Sequence, residues 1–307
     1  MTSIISAKDI DRLKWDALVE QYDGPGQFFH YSWYLDAICP NWTAVVQNDY
    51  EVIFPMVSSS KFGLSFFTQP LFSREFNIIG ANPTFEYKKE CYDHLMRHRL
   101  VFFGSSTDFN LTNLKSSNRS YQRIELGKKY DVLYGNYSQN IKRTLKKSIE
   151  FKLEIRNNFD PVTLIELFRN EKGAEFRHLG QKEYDAIQQL MINGNKVKYD
   201  YQINAYAEGE LVASSFYFVS KDAILFLKGA VTEKGKLMGA MVCLHNYVLQ
   251  VFCETHRYFD FGGSNTKGLR EFNMKFGAID MNYLLLSSNR MPWPLKSLFD
   301  KKYKHNA

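Results

Sequence analysis

Four polar side chains in one glycine-rich stretch are of the types that do chemistry. In Tyr258-Phe-Asp-Phe-Gly-Gly-Ser-Asn-Thr-Lys-Gly-Leu-Arg-Glu-Phe-Asn-Met-Lys-Phe-Gly277, Asp260 closes a short alternating run and sits beside Gly262 and Gly263. An acidic residue at a strand end next to a Gly-rich turn is a common place for a base or a ligand-holding group in α/β proteins. Ser264 and Asn265 add side-chain oxygens, and Lys275 adds a cation. Each has a structural alternative: Asp260 as a turn cap, Ser264 and Asn265 (with Thr266) as caps of the following helix.

Two further segments carry charge in a patterned way. On a helix predicted from about Tyr130 to Glu150, a turn of 100° per residue puts Lys142, Arg143, Lys146 and Lys147 within roughly 140° of arc. Tyr134, Tyr137, Ile141 and Leu145 fall opposite. Such a rim suits the phosphates of a cofactor or an RNA backbone, and it equally suits a solvated face. Further on, a strand ending near Val231 runs into Lys234-Gly-Lys236, predicted as a loop that opens an apolar helix from about Met238 to Phe252. Free amides at a helix start bind anions, and two lysines add to the field. Gly229 inside the strand signals a bulge or a close approach of backbone to a ligand. His245 stands among Met241, Val248 and Phe252, a setting that predicts packing rather than ligation.

The elements that must position these residues follow from pattern. In the first region, helices are predicted at Asp9–Glu20, Ser32–Ile38 and Tyr87–Leu100, strands at Trp42–Val46, Glu51–Val57, Leu64–Thr68 and Leu100–Phe103, and a turn at Ser58-Ser-Ser60. Asn110–Arg119 reads as a polar connector. In the second region a strand at Lys152–Arg156 precedes a helix opened by Asp160 as N-cap with Pro161 at its first position. A helix at Gln181–Asn193 and strands at Tyr201–Ala207, Leu211–Val219 and Ala223–Val231 complete it. The β segments of the two regions align at an offset of about 160 residues, with Gln47-Asn-Asp49 over Glu208-Gly-Glu210, which predicts two copies of a similar α/β unit. A division at 1–126 and 127–307 is expected.

The 307 residues hold 45% hydrophobic and 23% charged side chains, the balance of a globular chain and not a disordered one. A net charge of +6 accommodates an anionic cofactor or nucleic acid. Cys39, Cys91, Cys243 and Cys253 have no metal-ligand spacing, so no metal is expected and the thiols read as reduced. With no basic-then-apolar leader and no spanning apolar run, a cytoplasmic location without a membrane span is expected. The sequence leaves the oligomeric state open.

The order of elements in the second half, together with three stretches, resembles the GNAT acyltransferase superfamily in its tandem, FemAB-like or cellulose-biosynthesis-type branch. The stretches are Tyr137-Ser-Gln-Asn-Ile-Lys-Arg-Thr-Leu-Lys-Lys147, the Lys234–Gly239 loop with its helix, and Phe259-Asp-Phe-Gly-Gly-Ser264 running on to Phe272 and Lys275-Phe-Gly277. The resemblance implies an α+β (α/β) fold of two GNAT-like domains, each a mixed, mostly antiparallel sheet flanked by helices. It implies an N-acyltransferase moving an acyl group from acetyl-CoA or another acyl-CoA to an amine of a small molecule, sugar or cell-wall precursor. The donor cradle then maps to Lys234, Gly235, Lys236 and Gly239, and the carbonyl-polarising N–H to the strand Gly229–Val231. Asp260 is the polar group at the gap, Tyr258 (or Tyr283) replaces the missing proton donor of the following helix, and Arg143, Ser264, Asn265 and Lys275 face substrate. The donor loop departs from the family consensus, which opens two alternatives. One is a FemAB-type transferase using aminoacyl-tRNA on peptidoglycan precursors. The other is a non-catalytic tandem binding protein, for which a cleft filled by the protein's own aromatic rings would speak.

Overall fold

A computed structural model describes residues 2–22, 24, 26–61, 63–109, 113–176, 179–263 and 266–304. In chain order, β1 (Thr2–Ser6), α1 (Arg12–Gln21), α2 (Ser32–Ile38), β2 (Thr43–Gln47), β3 (Val52–Met56), β4 (Ser58–Lys61), β5 (Leu64–Thr68), β6 (Ile79–Gly80), α3 (Phe85–Leu95) and β7 (Leu100–Ser105) precede β8 (Lys115–Glu125). Then come α4 (Tyr130–Gly135), α5 (Gln139–Ser148), β9 (Glu154–Asn157), α6 (Pro161–Lys172), α7 (Gln181–Lys196), β10 (Asp200–Ala207), β11 (Glu210–Val219) and β12 (Ala223–Val231). The chain closes with α8 (Glu233–Met238), α9 (Ala240–Phe252), β13 (Tyr258–Asp260), α10 (Lys267–Met274), β14 (Ile279–Asn289) and α11 (Leu295–Lys304).

Two compact units result: Met1–Arg119 with Asn282–Ala307, and Ser120–Met281. This differs from the division expected at 126/127. The last segment joins the first unit because β14 pairs antiparallel with β7, Leu284 opposite Ser105 through Asn289 opposite Leu100. Each unit combines helices with mostly antiparallel strands, and those of the first unit belong to two sheets. In the first, β1, β2, β3 and β6 form one antiparallel sheet, while β5 runs parallel to β7. The predicted turn at Ser58-Ser-Ser60 is strand β4, paired with β5 from Ser58 opposite Phe67 to Lys61 opposite Leu64. The internal repeat therefore holds for the hairpins β2–β3 and β10–β11, and not for the connection that follows each.

The second unit orders its strands β8-β13-β12-β11-β10-β9. Neighbouring residues on a strand point to opposite faces, and Phe216 and Tyr217 show what each face meets. Tyr217 hydrogen-bonds His245 of α9 at 3.0 Å. Phe216 is paired with Lys228, whose Nζ lies 3.5 Å from the ring centroid of Phe168 on α6. One face thus carries α9 and the other α6. Asp160 caps α6, its Oδ1 accepting the Thr163 N–H at 3.0 Å, with Pro161 at the first helical position as expected.

The expected single helix Tyr130–Glu150 is broken into α4 and α5. The first part ends at Gly135 with Asn136 as its C-cap, and Ser138 caps the second, its Oγ accepting the Ile141 N–H at 3.3 Å. The Ser138 N–H is held by the Lys275 carbonyl at 2.8 Å. Gly277 has φ +78°, and a Cβ there would stand 2.8 Å from that of Asn136, so the close of α10 packs directly on the α4–α5 turn.

The core on the α9 face is organised around His245, whose ring centroid lies 4.9 Å from Phe226, 5.6 Å from Phe261 and 5.7 Å from Phe276. Burial pushes this imidazole down to about 3, so it is neutral at pH 7. In the first unit His30 is likewise enclosed. Its Nε2 accepts the Asn77 N–H at 2.6 Å, its Nδ1 faces the Gly26 carbonyl at 2.8 Å, and burial lowers it to about 4.

Both histidines bind fewer protons folded than unfolded, so stability falls as pH drops from the unfolded value near 6.5 toward these folded values, and is flat with respect to them above it. Each contributes a slope of up to about 1.4 kcal/mol per pH unit in that window. Urea titrations between pH 4 and 7 are expected to show a slope for His245→Phe that is shallower than wild type by about that amount. An unchanged slope would remove the neutral buried His245 from the account.

Candidate functional site

The ladder between β12 and β13 stops early. These strands pair in parallel at Ala223–Tyr258, Ile224–Phe259 and Leu225–Asp260, and no further. Beyond that, Phe226–Val231 remains bonded to β11, with Leu227 bulged out between the pairs Tyr217–Phe226 and Phe216–Lys228. Gly262 turns the other chain away. It has φ +82°, and a Cβ there would stand 2.6 Å from the Phe226 carbonyl oxygen. The Asp260 carboxylate locks this turn by accepting the Gly262 N–H at 2.8 Å, and is itself buried.

Because Phe259 belongs to the α9 face, Tyr258 and Asp260 lie on the α6 face. Opposite Asp260 on β8 stands Arg123. Its guanidinium lies 4.9 Å over the Tyr258 ring and its Nε donates to Glu125 at 2.8 Å. The structure therefore brings Tyr258 and Asp260 together on one face. On the α9 side of the splay, Phe226, Phe261, Phe272 and Phe276 stand around His245.

The residues expected to cradle an anion are arranged otherwise. Lys234, Gly235 and Lys236 are not a loop but the helix α8, capped by Thr232, whose Oγ1 accepts the Gly235 N–H at 3.0 Å. The Lys236 N–H bonds the Thr232 carbonyl, and the Gly239 N–H bonds Lys236. Lys234 turns to Glu208 and Glu210 at 3.2 and 2.9 Å, and Lys236 pairs with Glu233. Gly235 permits tight packing, since a Cβ would stand 2.3 Å from the Val212 carbonyl and 2.9 Å from Val231 Cγ2. At Gly239 (φ +70°) a Cβ would meet the Thr144 methyl of α5 at 2.4 Å. Gly229 does admit a close neighbour, but that neighbour is Met241. Ser264 and Asn265 lie outside the described residues. Lys275 contributes its carbonyl to α5, and its side chain is exposed.

A different concavity lies on the α9 face, between α5 and α9, with a volume of about 640 Å³. Lys142, Arg143 and Lys146 of α5 form one wall, and Asn246, Tyr247 and Gln250 of α9 the other, with Tyr130 and Tyr134 at one end. Tyr130 donates to Asn246 Oδ1 at 2.7 Å. Lys142 donates to the Gly135 carbonyl at 2.9 Å and lies over Tyr134. Arg143 and Lys146 are exposed and have no ion-pair partner among the described residues. The basic rim was visible in the sequence; the α9 wall was missed. Its signal is a run of polar residues (Asn246, Tyr247, Gln250) on one side of an otherwise apolar helix.

Among known structures, FemX superposes with a TM-score of 0.70 at 10% identity, over 94% of this chain and 98% of that one. The chain has the tandem GNAT fold in its FemX-like form. The FemX-like fold is shared by L-PGS from Bacillus licheniformis (TM-score 0.58, 12% identity, 94% and 95% covered) and by a tandem GNAT protein from the clavulanic acid biosynthesis pathway (0.51, 12%, 95% and 99%). No family model and no curated protein matches the sequence. No helix among the described residues is long and apolar enough to cross a membrane. Nor does any group of three or more His, Cys, Asp or Glu among them stand together as metal ligands.

Gly262→Ala is expected to destabilise the protein by about 2 kcal/mol or more, because it meets both a left-handed φ and a backbone oxygen. Lys234→Ala is expected to be far milder, since its ion pairs with Glu208 and Glu210 are exposed to solvent. Urea denaturation of both variants measures the contrast; equal effects would refute the assigned roles.

Proposed function

We propose that this protein transfers an acyl group to an amine and takes it from an ester carried by RNA. The FemX-like fold supports acyl transfer at the level of reaction class. The α5–α9 groove carries the choice of donor. Three cations, two of them without partners, beside tyrosine rings suit a phosphodiester chain and its bases. An acyl-CoA donor, the first expectation from sequence, has less to hold it. The amides of Gly235, Lys236 and Gly239 are bonded internally, Thr144 covers Gly239, and Phe226 packs on His245 beside the splay.

In the reaction the acceptor nitrogen attacks the ester carbonyl. The C–N bond forms, the C–O bond to the ribose breaks, and the amine proton passes to the ribose oxygen. The donor's RNA would be held in the α5–α9 groove, and its acylated end would meet the acceptor on the α6 face, where Tyr258 and Asp260 lie beside the end of the β12–β13 ladder. Asp260 and Tyr258 are the groups proposed to relay the proton. The cell-wall-precursor acceptor and cytoplasmic setting implied by the family resemblance belong to this reading.

A second reading is binding without catalysis, favoured by the rings packed around His245 beside the splay. Fluorescence anisotropy with aminoacylated tRNA, followed by a transfer assay with amine acceptors, separates the readings. Affinity is expected to fall steeply with salt, and Arg143→Ala/Lys146→Ala should lower the slope of log K against log salt by about 1–2. RNA binding without turnover would favour the second reading. Salt-insensitive or absent RNA binding, together with a thermal shift by acetyl-CoA, would return the donor to CoA.

A further inference from the structure

Lys228 is a half-buried cation without a counter-ion. It follows the bulge at Leu227 on β12, in the segment whose outer edge has lost β13, and faces α6. Its Nζ lies 3.5 Å from the ring centroid of Phe168 and 5.3 Å from that of Phe176, which follows α6. The two rings stand 5.5 Å apart. Phe216, its cross-strand partner, closes the floor.

No hydrogen bond or ion pair reaches this ammonium among the described residues. The charges nearby are committed elsewhere. Arg169 of α6 lies over Tyr184 of α7, Lys172 is paired with Glu175, and the Asp260 carboxylate accepts from Gly262. Burial alone pushes the Lys228 amine down to about 8. A desolvated charge is costly unless it is paired, and ring faces offset only part of that cost. Such a group in the interior of a strand, beside the point where the sheet opens, has the character of a binding site waiting for its anion.

We propose that Lys228, framed by Phe168 and Phe176, anchors the carboxylate of an acceptor that lies on the α6 face at the β12–β13 splay. The class of ligand follows from charge and surface. One monovalent cation in an aromatic frame matches a monoanion with an apolar or planar body. A phosphate, carrying more charge, is better matched by the three cations of the α5–α9 groove. Lys228 and the candidate proton-relay pair Tyr258 and Asp260 share this face, so an acceptor held by its carboxylate at Lys228 would present its amine toward the splay. The inference deepens the acyl-transfer reading by naming the acceptor's charge, yet it rests on β12 alone and is tested by binding in the absence of any donor.

The probes are benzoate and its neutral isostere benzamide, titrated calorimetrically against the full chain. Benzoate is expected to bind at least tenfold more tightly than benzamide, and Lys228→Met to abolish that preference while leaving RNA binding unchanged. In the unaltered protein, benzoate at saturation should slow acylation of Lys228 by acetic anhydride, read by peptide mass spectrometry, at least fivefold while leaving Lys234 unaffected. This second measurement needs no variant to fold. Equal affinity for the two probes, unchanged benzoate binding in Lys228→Met, or unprotected Lys228 would each overturn the proposal. Failure of RNA binding with benzoate binding intact would reject the RNA donor and keep the acceptor site.

Discussion

The second unit depends on keeping one imidazole dry. His245 brings α9 onto the sheet through Tyr217 and is enclosed by rings from β12, β13 and α10. Aromatic contacts of this kind contribute roughly 0.5–1.5 kcal/mol each beyond the area they bury, so the cluster outweighs the cost of a polar ring inside it. Phe276 carries the same packing to Tyr137 at 5.4 Å, and through it to the turn that starts α5. The basic helix is thereby placed alongside α9, and the groove between them follows. The same rings stand on the α9 side of the point where β13 leaves β12.

The sheet then separates two kinds of surface. On the α9 side Arg143 and Lys146 are exposed and have no ion-pair partner among the described residues, which suits a flexible polyanion screened by salt. On the α6 side Lys228 is half-buried in an aromatic frame and Arg123 lies over Tyr258 and pairs with Glu125, which suits a small ligand of fixed orientation. Transfer chemistry needs a donor and an acceptor held apart until they meet. An interrupted ladder between two unlike faces offers a place for that meeting.

Much of the scaffold was legible in the sequence. Asp160 with Pro161 opens α6 as the cap chemistry demands, and Ala223–Val231 and Ser32–Ile38 are elements with the predicted bounds. His245 was readable as a packed residue from its apolar neighbours. The failures share one cause. Lys234-Gly-Lys236 reads as a loop because Gly235 is a poor helix former, yet the glycine serves a close contact with Val212 that no local pattern encodes. Ser58-Ser-Ser60 reads as a turn from composition, but pairing with β5 makes it a strand.

The fold class followed from a family resemblance; the residues by themselves determined much of the order of helices and strands, the polarity of α5 and the sharp turn after Asp260. These are set by periodicity, caps and glycine, which act over a few residues. Only the tertiary structure decided that the lysines of α8 face glutamates, that Thr144 covers Gly239, that rings gather around His245 beside the splay, and that Lys228 stands in an aromatic frame with no ion pair among the described residues. The physical reason is that those facts depend on which side chains from distant strands and helices share a face. A single residue's worth of register or one bulge, such as that at Leu227, changes the answer.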